Sequence, residues 1–252
     1  MTDQKMHFDY LLRLGDNSLI LGQRLAEWCG HAPMLEEDLA LTNIGLDLLG
    51  QARMLLAYAG EVEGKGRDED RLAFHRDTMA WRNLLLLEQP NGDFAHTMAR
   101  QLFFDAFQYQ QFAGLCSSSD ERLAGIAAKS LKEITYHRRH STDWVIRLGD
   151  GTEESHERMQ RAVDSLWGYV PEMFDMDAVD DAMVAAGIGV DVAALRGEWD
   201  RYIDEVFAEA TLSRPEDSWS VRGSREGKHS EHLGYLLAEM QFLPRAYPDA
   251  KW

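Results

Sequence analysis

The residues best placed to do chemistry in this 252-residue chain are polar side chains embedded in apolar surroundings. Asn43, Asp47 and Gln51 recur every fourth position. They lie in a stretch where Leu35, Leu39, Leu46, Leu49 and Leu56 mark one apolar face and Leu41, Ile44, Leu48 and Leu55 another. A helix apolar nearly all round belongs inside a bundle, so these three side chains are expected to be buried and partnered. Asp105 stands between Phe104 and Phe107, with no other charge between Arg100 and Asp120. Antiparallel counting across a turn near residue 118 places it near Glu133.

Two buried carboxylates that face each other need a cation, a shared proton or hydrogen-bond donors. A metal would serve. Di-iron carboxylate bundles use a Glu from each of two helices and Glu-x-x-His from each of the other two, because residues three apart project towards the same ion. In this chain Asp47 is followed at that spacing by Gly50, and Glu133 by Tyr136. Neither pair carries an imidazole. His137, four residues after Glu133, leaves one mononuclear site open, but no symmetric di-iron site is expected. The favoured reading is a hydrogen-bonded network of Asn43, Asp47, Gln51, Asp105, Glu133, Tyr136 and His137 that fixes helix register, with no catalytic residue and no metal.

Other candidates are sparser. His137-x-x-His140 has metal-ligand spacing, but with Arg138 and Arg139 between them and Trp144 one turn on these are read as structural or surface histidines; His229-x-x-His232, with Glu231 inside it, lacks a third and fourth ligand nearby. Arg222, Arg225 and Lys228 form a basic group that could meet an anion or an acidic partner, although a solvated surface loop is the favoured reading, since they lie within the longest stretch expected to be structureless, 213–229. No glycine-rich phosphate loop, nucleophile elbow or Cys-x-x-Cys is present.

The elements that must position these residues are helices. Period-two alternation is almost absent, while Leu, Ala, Met, Glu and Arg dominate. Glycine, proline and capping residues divide the chain into helices at about 8–29, 34–59, 69–88, 93–116, 121–148, 152–170, 177–186 and 191–212, with a last one from Ser230 to Pro244. Asp93, Thr152, Asp177, Asp191 and Ser230 are the expected N-caps. Gly15, Gly22, Gly45 and Gly50 fall inside helices and suggest close helix approach. The expectation is one all-α domain over 1–252: a ferritin-like four-helix bundle with a long crossover and additional C-terminal helices.

Composition narrows the partners. Acids outnumber bases 43 to 26, a formal charge of −17, which argues against nucleic acid, whose affinity comes largely from Lys and Arg. No apolar run approaches a membrane span, and the N-terminus lacks the succession of a signal peptide. Cys29 and Cys116 are read as buried thiols of a cytoplasmic protein.

Several long strings carry a resemblance. Leu14-Gly15-Asp16-Asn17, Gln23 to Pro33, Asn43 to Arg53, Leu85 to Gly92, His229 to Gly234 and Leu237 to Gln241 resemble the C-type subunits of the bacterial phenylacetyl-CoA epoxidase family. The resemblance implies a structural, non-catalytic component of a multicomponent monooxygenase that uses O₂ to form a ring 1,2-epoxide in phenylacetate breakdown. It implies an A-type catalytic partner holding the di-iron centre, a small B-type partner, and a reductase passing electrons from NADPH through flavin and iron–sulfur groups. No cofactor would belong to the present chain. A stand-alone ferritin-like metal oxidase and a helical binding module are the alternatives, and metal analysis and co-purification separate them.

Overall fold

A computed structural model describes residues 3–216, 219–248 and 250. Among them there are nine α-helices, short 3-10 turns and no strand. The chain folds as two compact units, one made of residues 1–90 with 223–252 and the other of 91–222.

The first unit is built on an antiparallel hairpin of α1 (Gln4–Ala26) and α2 (Leu35–Glu63), with α3 (Glu69–Phe74) and α9 (Glu231–Ala246) added to it. The hairpin is tight where side chains are absent. A Cβ on Gly22 would stand 3.2 Å from the Gly45 carbonyl oxygen, so only glycine lets the two backbones come this close. Gly50 differs, with nothing within 4 Å of where its Cβ would be, so it does not serve helix approach. α2 ends four residues past Gly60, at Gly64, whose φ of 70° supplies the left-handed cap. Its faces also divide differently from the expectation. Leu41, Ile44, Leu48 and Leu55 are buried, whereas Leu35, Leu39 and Leu46 are exposed.

The third expected helix, 69–88, is mostly not one. α3 stops at Phe74, a 3-10 turn covers Thr78–Ala80, and Leu84 to Leu87 are buried in irregular chain. The reason is tertiary. Asp16 Oδ2 accepts the Arg82 N–H at 2.9 Å and Asn17 Oδ1 accepts the Leu84 N–H at 2.8 Å. Side chains of α1 thus supply what a helix ladder would otherwise provide.

The second unit is built on α4 (Phe94–Leu115) and α5 (Glu121–Gly149), followed by α6 (Glu153–Leu166), α7 (Ala178–Ala185) and α8 (Arg196–Glu209). Asp93, Asp120, Thr152 and Asp177 accept backbone N–H groups at the starts of α4, α5, α6 and α7. Asp191 accepts from the Ala194 N–H, but α8 begins only at Arg196 after a 3-10 turn. After Leu166 the chain tightens into a 3-10 turn to Phe174, because Pro171 has no N–H to continue an α ladder. Phe103, Trp167, Trp199 and Phe207 interlock with centroids 5.6–6.3 Å apart, and the Trp199 indole N–H donates to the Phe103 carbonyl at 3.0 Å.

α9 continues to Ala246 with Pro244 inside its last turn. Among its described residues, the stretch expected to be structureless holds one 3-10 turn, Ser224–Glu226. Cys29 is exposed and Cys116 half-buried, so neither is the buried thiol expected. No helix among the described residues is long and apolar enough to cross a membrane.

Candidate functional site

The polar residues singled out from the sequence do not share one environment. In the first unit Gln51 is fully buried, Asp47 half-buried and Asn43 exposed. Asn43 follows the exposed side of α2 with Leu39 and Leu46, which periodicity alone did not separate from the buried side. In the second unit Asp105 and His137 are buried, Glu133 is half-buried and Tyr136 is 40% exposed. Tyr136 stands at the ligand spacing from Glu133, yet it lies outside the core.

Asp105 is held from α5, but not by Glu133. Its Oδ2 accepts the Ser141 hydroxyl at 2.8 Å. The partner lies eight residues beyond Glu133, about 12 Å along a helix, because the loop between α4 and α5 does not pair the two helices by simple counting about its centre. Burial pushes the Asp105 carboxyl up to about 6, against the lowering effects of His137, the Ser141 hydrogen bond and Arg138. Asp105 Oδ1 has no hydrogen-bond partner among the described residues. The side chain therefore passes from acid to carboxylate about one pH unit below neutrality.

The donor set does not suit a metal. Among the described residues no group of three or more His, Cys, Asp and Glu side chains stands close enough to hold an ion. His137 and Asp105 are two such groups, and the neighbour that counts, Ser141, offers a hydroxyl.

The first unit contains polar centres that metal-ligand spacing does not reveal. Arg76 grips Asp16 with both terminal nitrogens, Nη1 at 2.9 Å, and lies 4.2 Å from the Trp81 ring centroid. Asp16 is fully buried and Arg76 nearly so. Glu88, also fully buried, accepts from Asn83 at 3.1 Å, from His229 Nδ1 at 2.9 Å and from the Ser230 backbone N–H. Ser230 thus occupies the N-cap position of α9 without making a side-chain cap bond. Arg24 donates to the Glu88 carbonyl at 2.6 Å. Most of these residues lie in the strings that carried the resemblance, and their work here is to hold irregular chain against helices. The available signal was a charged residue next to an apolar run, as Glu88 directly after Leu84 to Leu87.

Of the basic candidates, Arg222 pairs with Asp175 and Lys228 with Glu226, while Arg225 is half-buried. His229 belongs to the Glu88 centre and His232 offers its carbonyl to Arg24 at 3.5 Å.

A family model described as phenylacetic acid catabolic protein matches residues 1–252. The chain belongs to that family. The fold is the helical, ferritin-like one of phenylacetic acid catabolic proteins. A curated relative, the C subunit of 1,2-phenylacetyl-CoA epoxidase from Escherichia coli (strain K12), is 53% identical over 243 residues, covering 96% of this chain and 98% of that protein. In this member of the phenylacetic acid catabolic family, the buried Asp16 and Glu88 carboxyls accept from backbone N–H groups of irregular chain and of the start of α9.

Proposed function

We propose that this chain is the structural, non-catalytic subunit of a phenylacetyl-CoA epoxidase acting in aerobic phenylacetate catabolism in the cytoplasm. The likeness along nearly the whole chain to the relative named as the C subunit of such an enzyme supports the assembly. The non-catalytic role rests on one observation: at the positions that would carry paired imidazoles there are Gly50 and an exposed Tyr136, and Asp105 is answered by a serine. The partners are an A-type catalytic subunit, which holds the di-iron centre, and a small B-type subunit, with a reductase supplying electrons from NADPH through flavin and iron–sulfur groups. The assembly adds one oxygen atom of O₂ to the aromatic ring of phenylacetyl-CoA as a 1,2-epoxide.

The chain's own part is mechanical. Met34, just before α2, and Leu35, Leu39 and Leu46 along one side of it are 46–71% exposed, and exposed large apolar side chains gathered on one side of a helix are the kind of surface that serves as a protein interface. This face is assigned to the catalytic partner, whose ligand-bearing helices it holds in place. A metal site loosened by about 1 Å tends to lose function. The test is co-expression with the candidate catalytic partner, then size-exclusion chromatography and an iron assay on each component. Co-elution with iron confined to the partner is expected. Stoichiometric iron and unaided turnover in this chain would overturn the reading.

A further inference from the structure

We propose that a cleft between α5 and α8 is a binding site for a phosphate-bearing ligand with a planar base, the phosphoadenosine end of a CoA thioester. The choice of CoA rests on the epoxidase reading; the anion site rests on the cleft itself. The cleft has a volume of about 450 Å³, within the range of about 300–1,000 Å³ typical of small-molecule sites.

Its charge runs against the composition of the chain. Lys132, Arg138 and Arg139 face it with a single carboxylate, Asp143. Elsewhere in the same unit Arg158, Arg161, Arg196, Arg214 and Arg222 each meet an acid. Among the described residues no ion pair joins Lys132, Arg138 or Arg139 to a carboxylate, although acids outnumber bases 43 to 26. Arg138 reaches buried Asp105 only through its field.

The cations are also held in place. The Arg138 guanidinium carbon lies 3.6 Å from the Tyr109 ring centroid and 4.9 Å from that of Tyr202. The Tyr202 hydroxyl is fixed by Thr142 Oγ1 at 2.7 Å. Stacking occupies the flat faces of a guanidinium and leaves its in-plane N–H donors for oxygen ligands, the geometry that suits phosphate. Beside it Arg139 lies 5.6 Å from the ring of Tyr136, which is 40% exposed. An exposed aromatic ring next to phosphate donors offers a stacking surface for a nucleobase.

Calorimetry on the full chain with inorganic phosphate, adenosine, adenosine 3′,5′-bisphosphate and CoA tests this. Binding of the bisphosphate and CoA that weakens with salt, with no binding of adenosine, is expected. The doubly substituted Lys132→Gln/Arg139→Gln chain is expected to lose at least tenfold in affinity with an unchanged circular dichroism spectrum and Tm. Arg138→Lys, which keeps charge but loses the planar fork, is expected to weaken binding as well. Millimolar bisphosphate that does not bind, or binds the double variant equally well, overturns the proposal. Inorganic phosphate binding as tightly as the bisphosphate overturns the nucleotide assignment. Co-elution with the catalytic partner is scored separately: a complex without nucleotide binding removes only this inference, and nucleotide binding without a complex removes only the epoxidase reading.

Discussion

Both ring nitrogens of His229 lie against oxygens: Nδ1 is 2.9 Å from Glu88 Oε2, and Nε2 is 3.1 Å from the Trp81 carbonyl. The pair ties residues 81–88 to the start of α9 within the first unit, with both side chains almost fully buried. Removing the Glu88 carboxyl leaves buried polar groups of Asn83, His229 and Ser230 without their partner, which costs about 1–3 kcal/mol for each group left unsatisfied. Glu88→Ala is therefore expected to lower unfolding stability by about that amount in urea titrations, and to speed tryptic cleavage near Arg225. Wild-type stability in that variant would contradict the pairing.

The Asp16–Arg76 contact is a second buried pair, with a bidentate geometry that Asn or Lys does not reproduce. Asp16→Ala alone is expected to cost about 3–5 kcal/mol. The double variant Asp16→Ala/Arg76→Met should cost less than the sum of the two singles, by about 1–3 kcal/mol, as contacting residues do. A double-mutant cycle by denaturant unfolding measures this, and strict additivity would show that the charges do not cooperate.

Asp105 gives the chain a pH dependence of defined sign. Burial raises its folded value to about 6 from 3.8, so between those values the folded state keeps a proton that the unfolded state has released. Its contribution is fully present below about pH 4 and is lost as pH rises through about 6. A gap of about two pH units corresponds to about 3 kcal/mol. Asp105→Asn keeps a group able to bond Ser141 but cannot ionise. The stability of wild type relative to this variant should fall between pH 4 and 6 and level off above; a constant difference across that range would refute the assignment.

Glycine substitutions on the hairpin should go in opposite directions. At Gly50 there is open space, so Gly50→Ala is expected to raise the stability of the isolated chain by about 1 kcal/mol through helix propensity. At Gly22 a Cβ meets the Gly45 backbone at 3.2 Å. Gly22→Ala must push α1 from α2, and it should lower stability despite the same propensity gain. Thermal unfolding of the two variants side by side distinguishes the positions.

The hairpins α1–α2 and α4–α5 were legible because their determinants are short-range. Asp93, Asp120, Thr152 and Asp177 accept from backbone groups two or three residues ahead, and apolar spacing repeats within each helix. The absence of paired imidazoles was equally legible, since residue types at fixed offsets decide it. Burial of the candidate network was not. Asn43 and Gln51 stand at the same spacing from Asp47, yet one is exposed and the other fully buried, because a helix apolar on two faces does not say which face its neighbours cover.

Leu84 to Leu87 show the limit most clearly. Local propensity favours a helix there, but the backbone donors of Arg82 and Leu84 are taken by Asp16 and Asn17, 66 and 67 residues earlier in the chain. Likewise Asp105 meets Ser141 rather than Glu133, a register set by the packing of α4 on α5. Helix caps and missing ligands follow from residue types spaced a few positions apart, which any reading of the chain contains. Which acid meets which base, and whether a leucine is covered, depend on groups brought together from distant positions, and those meetings exist only once the chain has packed.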